Sequence, residues 1–312
     1  MGARRFVVTG GAGFIGSHFV DLLVSKPETE VSEIVVVDKL TYAGSKDNLK
    51  AAMKDTRVKF HNFDICDKPN MESLIVDGDC IVNFAAESHV DRSILDSKSF
   101  IESNILGVHT LLEISRQRES LIFLQISTDE VYGSLETDNA TEDFPFRPAS
   151  PYSASKAAAE HLCQAYSSTY NMNIITTRCG NNYGERQFPE KLIPVIIEAI
   201  KNGRNIPIYG SGQNIRNWIH VSDHVKGVYA AIEHGLPKEV YNFSSDDYFS
   251  NLEVANSICE LFSYDKSKIM LTTDRLGHDF RYGIDSQRAR NYLGWRAEIS
   301  FSDGLRALAI KL

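Results

Sequence analysis

Short apolar runs rich in β-branched residues alternate with longer segments of helical periodicity through the first half of the chain. The runs predict strands at residues 5–9, 32–37, 58–63, 80–85, 121–127 and 173–178. Apolar residues spaced three and four apart predict helices between them, at residues 15–25, 46–54, 100–117 and 151–170. Because the strands are apolar throughout and alternate with helices, we predict a doubly wound α/β fold, with a parallel sheet covered on both faces.

The regular alternation ends near residue 178, after which asparagine and glycine clusters interrupt the chain at 181–184 and 210–212. A length of 312 residues suits about two domains of ~150 residues each. We therefore predict a larger domain over residues 1–178, joined by parts of 213–240, and a smaller, partly interleaved α/β domain over 179–312.

Composition and charge narrow the function classes. Hydrophobic residues make up 43% of the chain, and no run approaches the ~20 apolar residues of a membrane helix. The net charge of −8 disfavours general nucleic-acid binding. The five scattered cysteines form no CxxC pair, and His220 and His224 lack a third ligand, so we expect reduced thiols and no metal site. Because the sequence shows no secretion signal, we expect a cytoplasmic protein without nucleic-acid or membrane partners.

A glycine-rich turn follows the first predicted strand. Residues 9–16 read Thr-Gly-Gly-Ala-Gly-Phe-Ile-Gly, and an amphipathic helix begins within them. Such glycines let backbone N–H groups approach a pyrophosphate at the helix N-terminus. Asp38 ends the second strand, where a carboxylate binds the adenosine ribose and repels a 2′-phosphate, although the adjacent Lys39 weakens that preference slightly. The alternative is a plain strand–turn–helix corner with a solvated Asp38. The strand, the glycines, the helix and the acid occur together in the expected order, which favours a Rossmann domain that binds NAD.

Tyr152 and Lys156 lie four residues apart on a predicted helix that begins after Ser150, so their side chains project from one face. A tyrosine becomes a base near neutral pH only if its pKa falls from ~10 to ~7, which takes about 4 kcal/mol. A neighbouring ammonium and a cationic nicotinamide can supply that stabilisation. Alone, this spacing is more often an incidental surface pair. In a chain that also contains a dinucleotide-binding turn, the same spacing predicts a tyrosinate that deprotonates a hydroxyl during hydride transfer to NAD.

Two adjacent acids, Asp129 and Glu130, follow Thr128 at the end of a buried strand. Ligands of doubly wound sheets bind outside the carboxyl ends of the strands. A solvated turn would be the usual interpretation of such a pair in isolation. At this place the pair instead favours a reaction that removes one proton and delivers another to a leaving group.

These motifs resemble those of the extended short-chain dehydrogenase/reductase superfamily, and within it the chain resembles the dTDP-glucose 4,6-dehydratases. The superfamily resemblance rests on residues 9–16 and on Tyr152 and Lys156. The dehydratase resemblance covers nearly the whole chain, through the stretches 38–44, 85–93, 127–133, 151–156, 181–184, 188–194 and 274–279. It implies a Rossmann domain with NAD, a smaller nucleotide-sugar-binding domain and a homodimer. The apolar stripe Leu111, Leu112 and Ile114 is then either helix packing or part of a two-fold interface.

The resemblance also implies a mechanism. Tyr152, helped by Thr128 and Lys156, removes the proton of the glucose C4 hydroxyl while NAD accepts the C4 hydride. Glu130 then removes the C5 proton, and Asp129 protonates the C6 hydroxyl so that water leaves. Return of the hydride to C6 gives a 4-keto-6-deoxy sugar with no net redox change.

Contact residues follow from the same resemblance. Those expected to contact NAD are Gly10, Gly13, Phe14, Ile15, Gly16, Asp38, Lys39, Leu40, Thr41, Asp64, Ile65, Ala85, Ala86, Ser88, Ser103, Tyr152, Lys156 and Asn182. Those expected to contact the nucleotide-sugar are Ser88, His89, Thr128, Asn181, Lys191, Leu192, Pro207, Tyr209, Arg216, Asn251, Arg275 and His278. Arg216 and Arg275 also suit a diphosphate on charge alone, although each could be an ordinary surface arginine.

Two departures leave the nucleotide base open. Dehydratases usually read Arg-Pro-Gly-His-Asp-Arg-Arg where residues 275–281 read Arg-Leu-Gly-His-Asp-Phe-Arg, and Asn217 replaces a common aspartate. A UDP-glucose 4,6-dehydratase has the same chemical groups, and a thymine methyl group adds only ~1 kcal/mol of packing, so the sequence does not distinguish the two bases. A nucleotide-sugar 4-epimerase or decarboxylase is less favoured, since it needs no acid–base pair for elimination. A non-catalytic NAD(H)-binding regulatory protein would have no reason to keep Tyr152, Lys156, Asp129 and Glu130 together.

Overall fold

A computed structural model describes residues 3–310. Its strands are β1 (Arg4–Thr9), β2 (Val31–Val37), β3 (Val58–His61), β4 (Cys80–Asn83), β5 (Ile122–Thr128), β6 (Asn173–Cys179), β7 (Asn181–Tyr183), β8 (Ile206–Tyr209), β9 (Ile215–His220), β10 (Val240–Phe243), β11 (Tyr248–Ser250) and β12 (Ile269–Thr272). Its helices are α1 (Phe14–Val24), α2 (Lys68–Leu74), α3 (Val90–Leu95), α4 (Lys98–Ile101), α5 (Val108–Ser115), α6 (Pro151–Tyr170), α7 (Leu192–Lys201), α8 (Val221–His234), α9 (Asn251–Leu261), α10 (Gln287–Leu293) and α11 (Phe301–Ile310).

Seven parallel strands form the central sheet, in the order β10-β6-β5-β4-β1-β2-β3. Successive residues of β1 point to opposite faces, with Phe6 and Val8 in one hydrophobic cluster and Val7 in another. The doubly wound α/β prediction is therefore confirmed. The chain adds β2 and β3 on one side of β1 and then crosses to add β4 on the other. This change of direction opens a crevice at the carboxyl ends of β1 and β4.

Part of the second half of the chain returns to the first sheet. Strand β10 pairs with β6, and α8 buries Val225 and Val228 in the same hydrophobic cluster as β1 and α1. The return joins residues 221–243 to the larger sheet, close to the predicted 213–240. The division of the chain at residue 178 stays a prediction.

The remaining strands form two smaller sheets. In one, β9 lies between β11 and β7, and in the other β12 pairs with β8. Helices α7, α9 and α11 pack with them around a third hydrophobic cluster that includes Tyr183, Ile196, Trp218 and Phe301. This smaller α/β layer lies beside the carboxyl edge of the large sheet through β7, which follows β6 after a single residue.

The helix predicted at residues 46–54 is wrong. The segment forms two 3₁₀ turns, Lys46–Leu49 and Ala52–Lys54. The Asn48 side-chain amide donates to the carbonyl of Ala12, which ties the segment to the glycine turn. Helices α2 and α3 were not predicted, because six or seven residues are too few to show a helical period.

The helix predicted at residues 100–117 is α4, a π-helical turn at Glu102–Gly107 and α5 in succession. Asn104 in this turn donates to the carbonyl of Glu87 and to the hydroxyl of Ser155, so the wide turn holds two neighbouring segments together. The apolar stripe Leu111, Leu112 and Ile114 is completely buried against the sheet. Its interpretation as helix packing is confirmed, and these three residues lie inside the protein.

Candidate active site

The glycine turn after β1 leaves no room for side chains. Gly10 has a φ of +66°, and a Cβ there would lie 2.5 Å from the backbone nitrogen of Ala85. A Cβ at Gly16 would lie 2.3 Å from the carbonyl oxygen of Gly10. Helix α1 begins directly after Gly13, so its free N–H groups face the crevice. The turn and helix therefore fit a pyrophosphate of the kind NAD carries.

A narrow cavity of about 90 Å³ extends from the glycine turn along the ends of β2 and β3. Ten of the residues predicted to contact NAD line it, namely Gly10, Gly13, Asp38, Lys39, Thr41, Asp64, Ile65, Ala85, Ala86 and Ser103. Lys39 donates to Ser103 at 2.9 Å and lies 3.4 Å from Asp64. Because Asp64 balances its charge, Lys39 is not a free site for a 2′-phosphate.

Asp38 lines the cavity and also accepts hydrogen bonds from the neighbouring backbone. Its Oδ2 accepts a hydrogen bond from the backbone nitrogen of Ala12 at 3.0 Å, and its Oδ1 accepts one from Leu40 at 2.8 Å. Each oxygen keeps a lone pair for a ribose hydroxyl. Burial raises the pKa of Asp38, and these two backbone bonds oppose the shift. Leu40 lines none of the cavities described and contributes through its backbone.

A second cavity of about 240 Å³ brings the catalytic candidates together. All five line it, namely Thr128, Asp129, Glu130, Tyr152 and Lys156. The predicted cofactor and substrate residues Gly10, Gly13, Phe14, Ile15, Gly16, Ala86, Ser88, Asn181, Asn182 and Lys191 line it as well. The cavity therefore joins the glycine turn to the ends of β5 and β6.

Local sequence fixes two of these positions. Strand β5 ends at Thr128, whose Oγ1 accepts from the backbone nitrogen of Glu130 and starts a 3₁₀ turn. The same hydroxyl donates to Asp129 at 3.2 Å. Ser150 and Ser153 form a capping box that starts α6, so Tyr152 lies in its first turn.

The environments of Asp129 and Glu130 differ. Asp129 is only 2% exposed, and its Oδ2 has no hydrogen-bond partner among residues 3–310. Burial, and then the charge of Glu130, raise the pKa of Asp129 to about 7. Burial also raises the pKa of Glu130, but Arg275, Arg216 and Lys191 counteract that shift. Asp129 is thus the better proton donor at neutral pH, and Glu130 is the better base.

The protein's own groups do not produce the expected lowering of the Tyr152 pKa. Lys156 donates to the carbonyl of Ile126 at 2.6 Å, and burial lowers its own pKa to about 8. Burial, and then Glu130, raise the pKa of Tyr152, while a hydrogen bond with Thr128 lowers it. Desolvation therefore outweighs the stabilisation that the sequence suggested. A phenolate at Tyr152 requires further positive charge beside the ring.

A third cavity, of about 420 Å³, adjoins Glu130 and lies against the smaller sheets. It contains most of the predicted nucleotide-sugar residues, namely His89, Asn181, Lys191, Leu192, Pro207, Tyr209, Arg216, Asn251, Arg275 and His278. Arg216 is fully buried, donates to the carbonyls of Ile215 and Asp279, and lies 4.2 Å above the ring of Tyr282. This acidic protein thus concentrates Lys191, Arg216 and Arg275 where an anionic ligand would lie.

Comparison with known proteins identifies the family. The model of the GDP-mannose 4,6 dehydratase family matches residues 7–308. The chain belongs to this family.

Several dehydratases resemble this family member closely. A dTDP-glucose 4,6-dehydratase of an Actinoplanes species is 44% identical over 304 residues, covering 96% of this chain and 95% of the relative. The dTDP-glucose 4,6-dehydratase 1 of Escherichia coli is 41% identical, covering 97% and 91%. The solved structure of the Streptomyces venezuelae dTDP-glucose 4,6-dehydratase DesIV with NAD and dTDP has a TM-score of 0.95 and 40% identity, covering 98% and 96%. A UDP-glucuronic acid 4-epimerase from Bacillus cereus has a TM-score of 0.92 and 26% identity, covering 97% of each chain.

The departures from the usual dehydratase motifs lie outside the nucleotide-sugar cavity. Leu276 and Phe280 are 75% and 55% exposed, and neither lines the cavity. Asn217 is buried and donates to the carbonyls of Ser245 and Asp247, so it holds a neighbouring loop. The expectation that these three positions bear on the base preference therefore has no support from the cavity lining.

Sequence reasoning missed several residues of this dehydratase site. The third cavity is also lined by Asp91, Glu190, Trp218 and Tyr282. Asp91 and Glu190 lie within the stretches 85–93 and 188–194 that carry the family resemblance, but the sequence indicates no chemical role for them, and Trp218 and Tyr282 lie outside those stretches. Tyr282 lies three residues after the motif residue Asp279, and only the fold shows that its hydroxyl reaches Glu130.

The two histidines of the HxxxH pair have structural contacts. His224 is buried and its Nδ1 lies 2.9 Å from the side-chain oxygen of Asn182, and His220 caps α8 by accepting from Ser222. Between residues 3 and 310, no group of three or more His, Cys, Asp and Glu side chains could hold a metal ion. None of the helices in the same range is long and apolar enough to cross a membrane.

Proposed function

We propose that this protein converts dTDP-glucose to dTDP-4-keto-6-deoxyglucose by C4 oxidation, loss of water across C5 and C6, and hydride return to C6. The observation that carries the proposal is the Asp129–Glu130 pair: both acids line the cavity that holds Tyr152, and Glu130 also lines the adjoining cavity that holds Lys191, Arg216 and Arg275. The dTDP-glucose 4,6-dehydratases that the chain resembles support the nature of the substrate.

In the oxidation, Tyr152 takes the proton of the C4 hydroxyl. NAD, when bound against the glycine turn, supplies a reversible hydride acceptor and positive charge near the phenol. Thr128 shares a hydrogen bond with Tyr152 that favours the phenolate. Lys156 is oriented by the Ile126 carbonyl and keeps the pocket positive. Only together with the positive charge of bound NAD would these residues offset the unfavourable burial of a charged Tyr152.

In the elimination, the 4-keto group makes the C5 proton acidic, and Glu130 removes it. Asp129, protonated because of its burial, gives its proton to the C6 hydroxyl so that water leaves. Lys191, Arg216 and Arg275 hold the diphosphate and thereby fix the sugar relative to both acids. The C5=C6 double bond left by the elimination, conjugated to the C4 ketone, then accepts the hydride at C6 and a proton at C5.

The fold alone does not separate this reaction from epimerisation, since a 4-epimerase shares the architecture. A 4-epimerase needs the oxidation by Tyr152 but no acid for a leaving hydroxyl. The raised pKa of Asp129 and its unpartnered Oδ2 fit a proton donor to C6. These features favour the dehydratase over the epimerase or decarboxylase, and over a non-catalytic NAD-binding protein.

The elimination step is expected to slow as the pH rises through about 7. Asp129 must carry a proton, and its pKa, raised from 3.8 to about 7, leaves it protonated only below that pH. The measurement is the decay of the NADH absorbance in single turnovers across a pH series. Asp129→Asn should accumulate NADH and lose this pH dependence. A decay rate that is constant on both sides of pH 7 would contradict the assignment of Asp129 as the acid.

The direct test of the function is incubation of the purified protein with dTDP-glucose and, in parallel, with UDP-glucose. We expect a 4-keto-6-deoxy product from dTDP-glucose, identified by its methyl signal in NMR, at the higher kcat/KM. Faster turnover of UDP-glucose would transfer the assignment to a UDP-glucose 4,6-dehydratase. A galactose-configured product would establish an epimerase.

We further propose a homodimer that works in the cytoplasm. Helices α4, α5 and α6 and the π turn between the first two leave Ile101, Leu106 and Tyr170 exposed. Leu106→Glu is expected to give monomers in sedimentation, whereas Leu236→Glu, at a similarly exposed leucine after α8, should leave the dimer intact. A monomeric parent protein would contradict the proposal of a homodimer.

The cytoplasmic location is supported by the cysteines. All five are free, as expected in a reducing compartment, and cell fractionation tests that location.

A further inference from the structure

The hydroxyl of Tyr282 lies between two carboxylates. It donates to Oδ2 of Asp279 at 2.8 Å and lies 3.5 Å from Oε2 of Glu130. The side chain is 3% exposed, and its ring lies beneath the guanidinium of Arg216. Asp279 is only partly buried, so part of its surface is open to solvent. A chain of three oxygen-bearing groups therefore connects Glu130 to the solvent.

We propose that Tyr282 and Asp279 exchange the proton on Glu130 with solvent while the sugar stays bound. The inference rests on the proposed function, in which Glu130 takes a proton from C5 and a proton later returns there. Tyr282 and Asp279 act through Glu130 and are positioning residues.

The exchange balances with no added reagent. After the C5–H bond breaks, Glu130 carries the proton on a carboxyl oxygen. Glu130 passes this proton to the Tyr282 oxygen while the Tyr282 proton moves to Asp279, which releases it to water. A solvent proton then follows the reverse route and is available for C5 when the hydride returns to C6. Neither carboxylate nor the phenol changes its net protonation over the cycle.

The other neighbours of Glu130 are less suited to this exchange. The cations that face it are Lys191, Arg216 and Arg275. Arginine keeps its protons at any accessible pH. Lys191 donates to the carbonyl of Ser88 at 2.9 Å, which directs it away from the exchange route. Unlike these three cations, the Tyr282 hydroxyl can both accept a proton and donate one.

The ring and the hydroxyl of Tyr282 have different roles, so removing one or both should have different effects. The ring supports Arg216, which belongs to the diphosphate site, whereas the hydroxyl reaches Glu130. Tyr282→Phe keeps the ring and removes the hydroxyl, so the KM for dTDP-glucose should change little. Tyr282→Leu removes both, so its KM should rise. A residue that served only the fold would not separate KM from proton exchange in this way.

The test is turnover of unlabelled dTDP-glucose in deuterated water, stopped early, with the C5 isotope content of the product measured by mass spectrometry. The parent protein should place deuterium at C5. In Tyr282→Phe the protium retained at C5 is expected to rise about tenfold, because Glu130 returns the proton it removed. Asp279→Asn should do the same. Tyr248→Phe is the matched control, since it removes a partly buried hydroxyl that donates to the Ile284 carbonyl, and it should behave like the parent.

The outcomes separate the two proposals. Complete C5 deuteration by both Tyr282→Phe and Asp279→Asn, with product still formed, would overturn the relay and leave the dehydratase assignment in place. A parent protein that forms no 4-keto-6-deoxy product would overturn the relay and the proposed function together.

Discussion

Tyr152→Phe is expected to lower turnover of dTDP-glucose by roughly 10³-fold, within the range for loss of a positioned acid–base group. The phenylalanine ring fills the same buried space but cannot take the C4 hydroxyl proton. Because oxidation is the first step, no NADH absorbance should develop when the substrate is mixed with the variant. Stopped-flow absorbance and product formation together measure both effects.

Tyr170→Phe is the matched control for this variant. Tyr170 lies at the end of the same helix and is exposed, so its hydroxyl is remote from the cavity. This control should turn over like the parent protein. If Tyr152→Phe still formed NADH at the parental rate, Tyr152 would not be the base for the C4 hydroxyl.

Glu130→Gln is expected to divide the reaction in two. Oxidation at C4 does not use this carboxylate, so NADH should form with dTDP-glucose. Elimination requires it, so product release should fall by about 10²- to 10⁴-fold and the NADH signal should persist. Removing the charge of Glu130 also removes one cause of the raised pKa of Tyr152, which favours the oxidation half.

An exposed glutamate on the same segment provides the comparison. Glu136→Gln removes a carboxylate from the loop after the 3₁₀ turn, where the side chain is exposed, and should behave like the parent protein. Absence of a bound-NADH signal in Glu130→Gln would refute the division of labour between Tyr152 and Glu130. Parental product formation by that variant would remove Glu130 as the C5 base.

Local signals explain what the sequence could predict. Residues 151–170 form the predicted helix because a serine cap and a proline mark its start, and its length gives a clear period. The glycine turn is equally local, since close backbone approach demands glycine at Gly10 and Gly16. Residues 46–54 lack such punctuation, and a contact with Ala12 decided their conformation instead.

Contacts between distant segments explain what the sequence could not predict. Lys156 binds the carbonyl of Ile126, a group that every residue possesses and that no pattern distinguishes. Tyr282 meets Glu130 across more than a hundred residues, and Asp91 approaches Arg275 from another part of the chain. The balance between burial and neighbouring charge at Tyr152 likewise depends on three-dimensional packing. Motifs therefore indicated the chemistry, whereas the fold determined how protons reach it.

Three cationic side chains that line one cavity show why the net charge of the chain does not indicate the charge of its ligand. The chain carries a charge of −8, yet Lys191, Arg216 and Arg275 all line the cavity beside Glu130. Carbonyl contacts hold Arg216 and Lys191, and within residues 3–310 neither forms a direct ion pair. A local cluster of this kind attracts a diphosphate regardless of the charge on the rest of the surface.

Transfer of the C4 hydrogen is the measurement that tests the central claim most directly. The purified protein would be given dTDP-glucose carrying deuterium at C4, and the position of the label in the product would be read by NMR. Oxidation, elimination and hydride return within one site predict deuterium in the C6 methyl group. Deuterium that remains at C4, in a sugar that keeps its C6 hydroxyl, would contradict the dehydratase account.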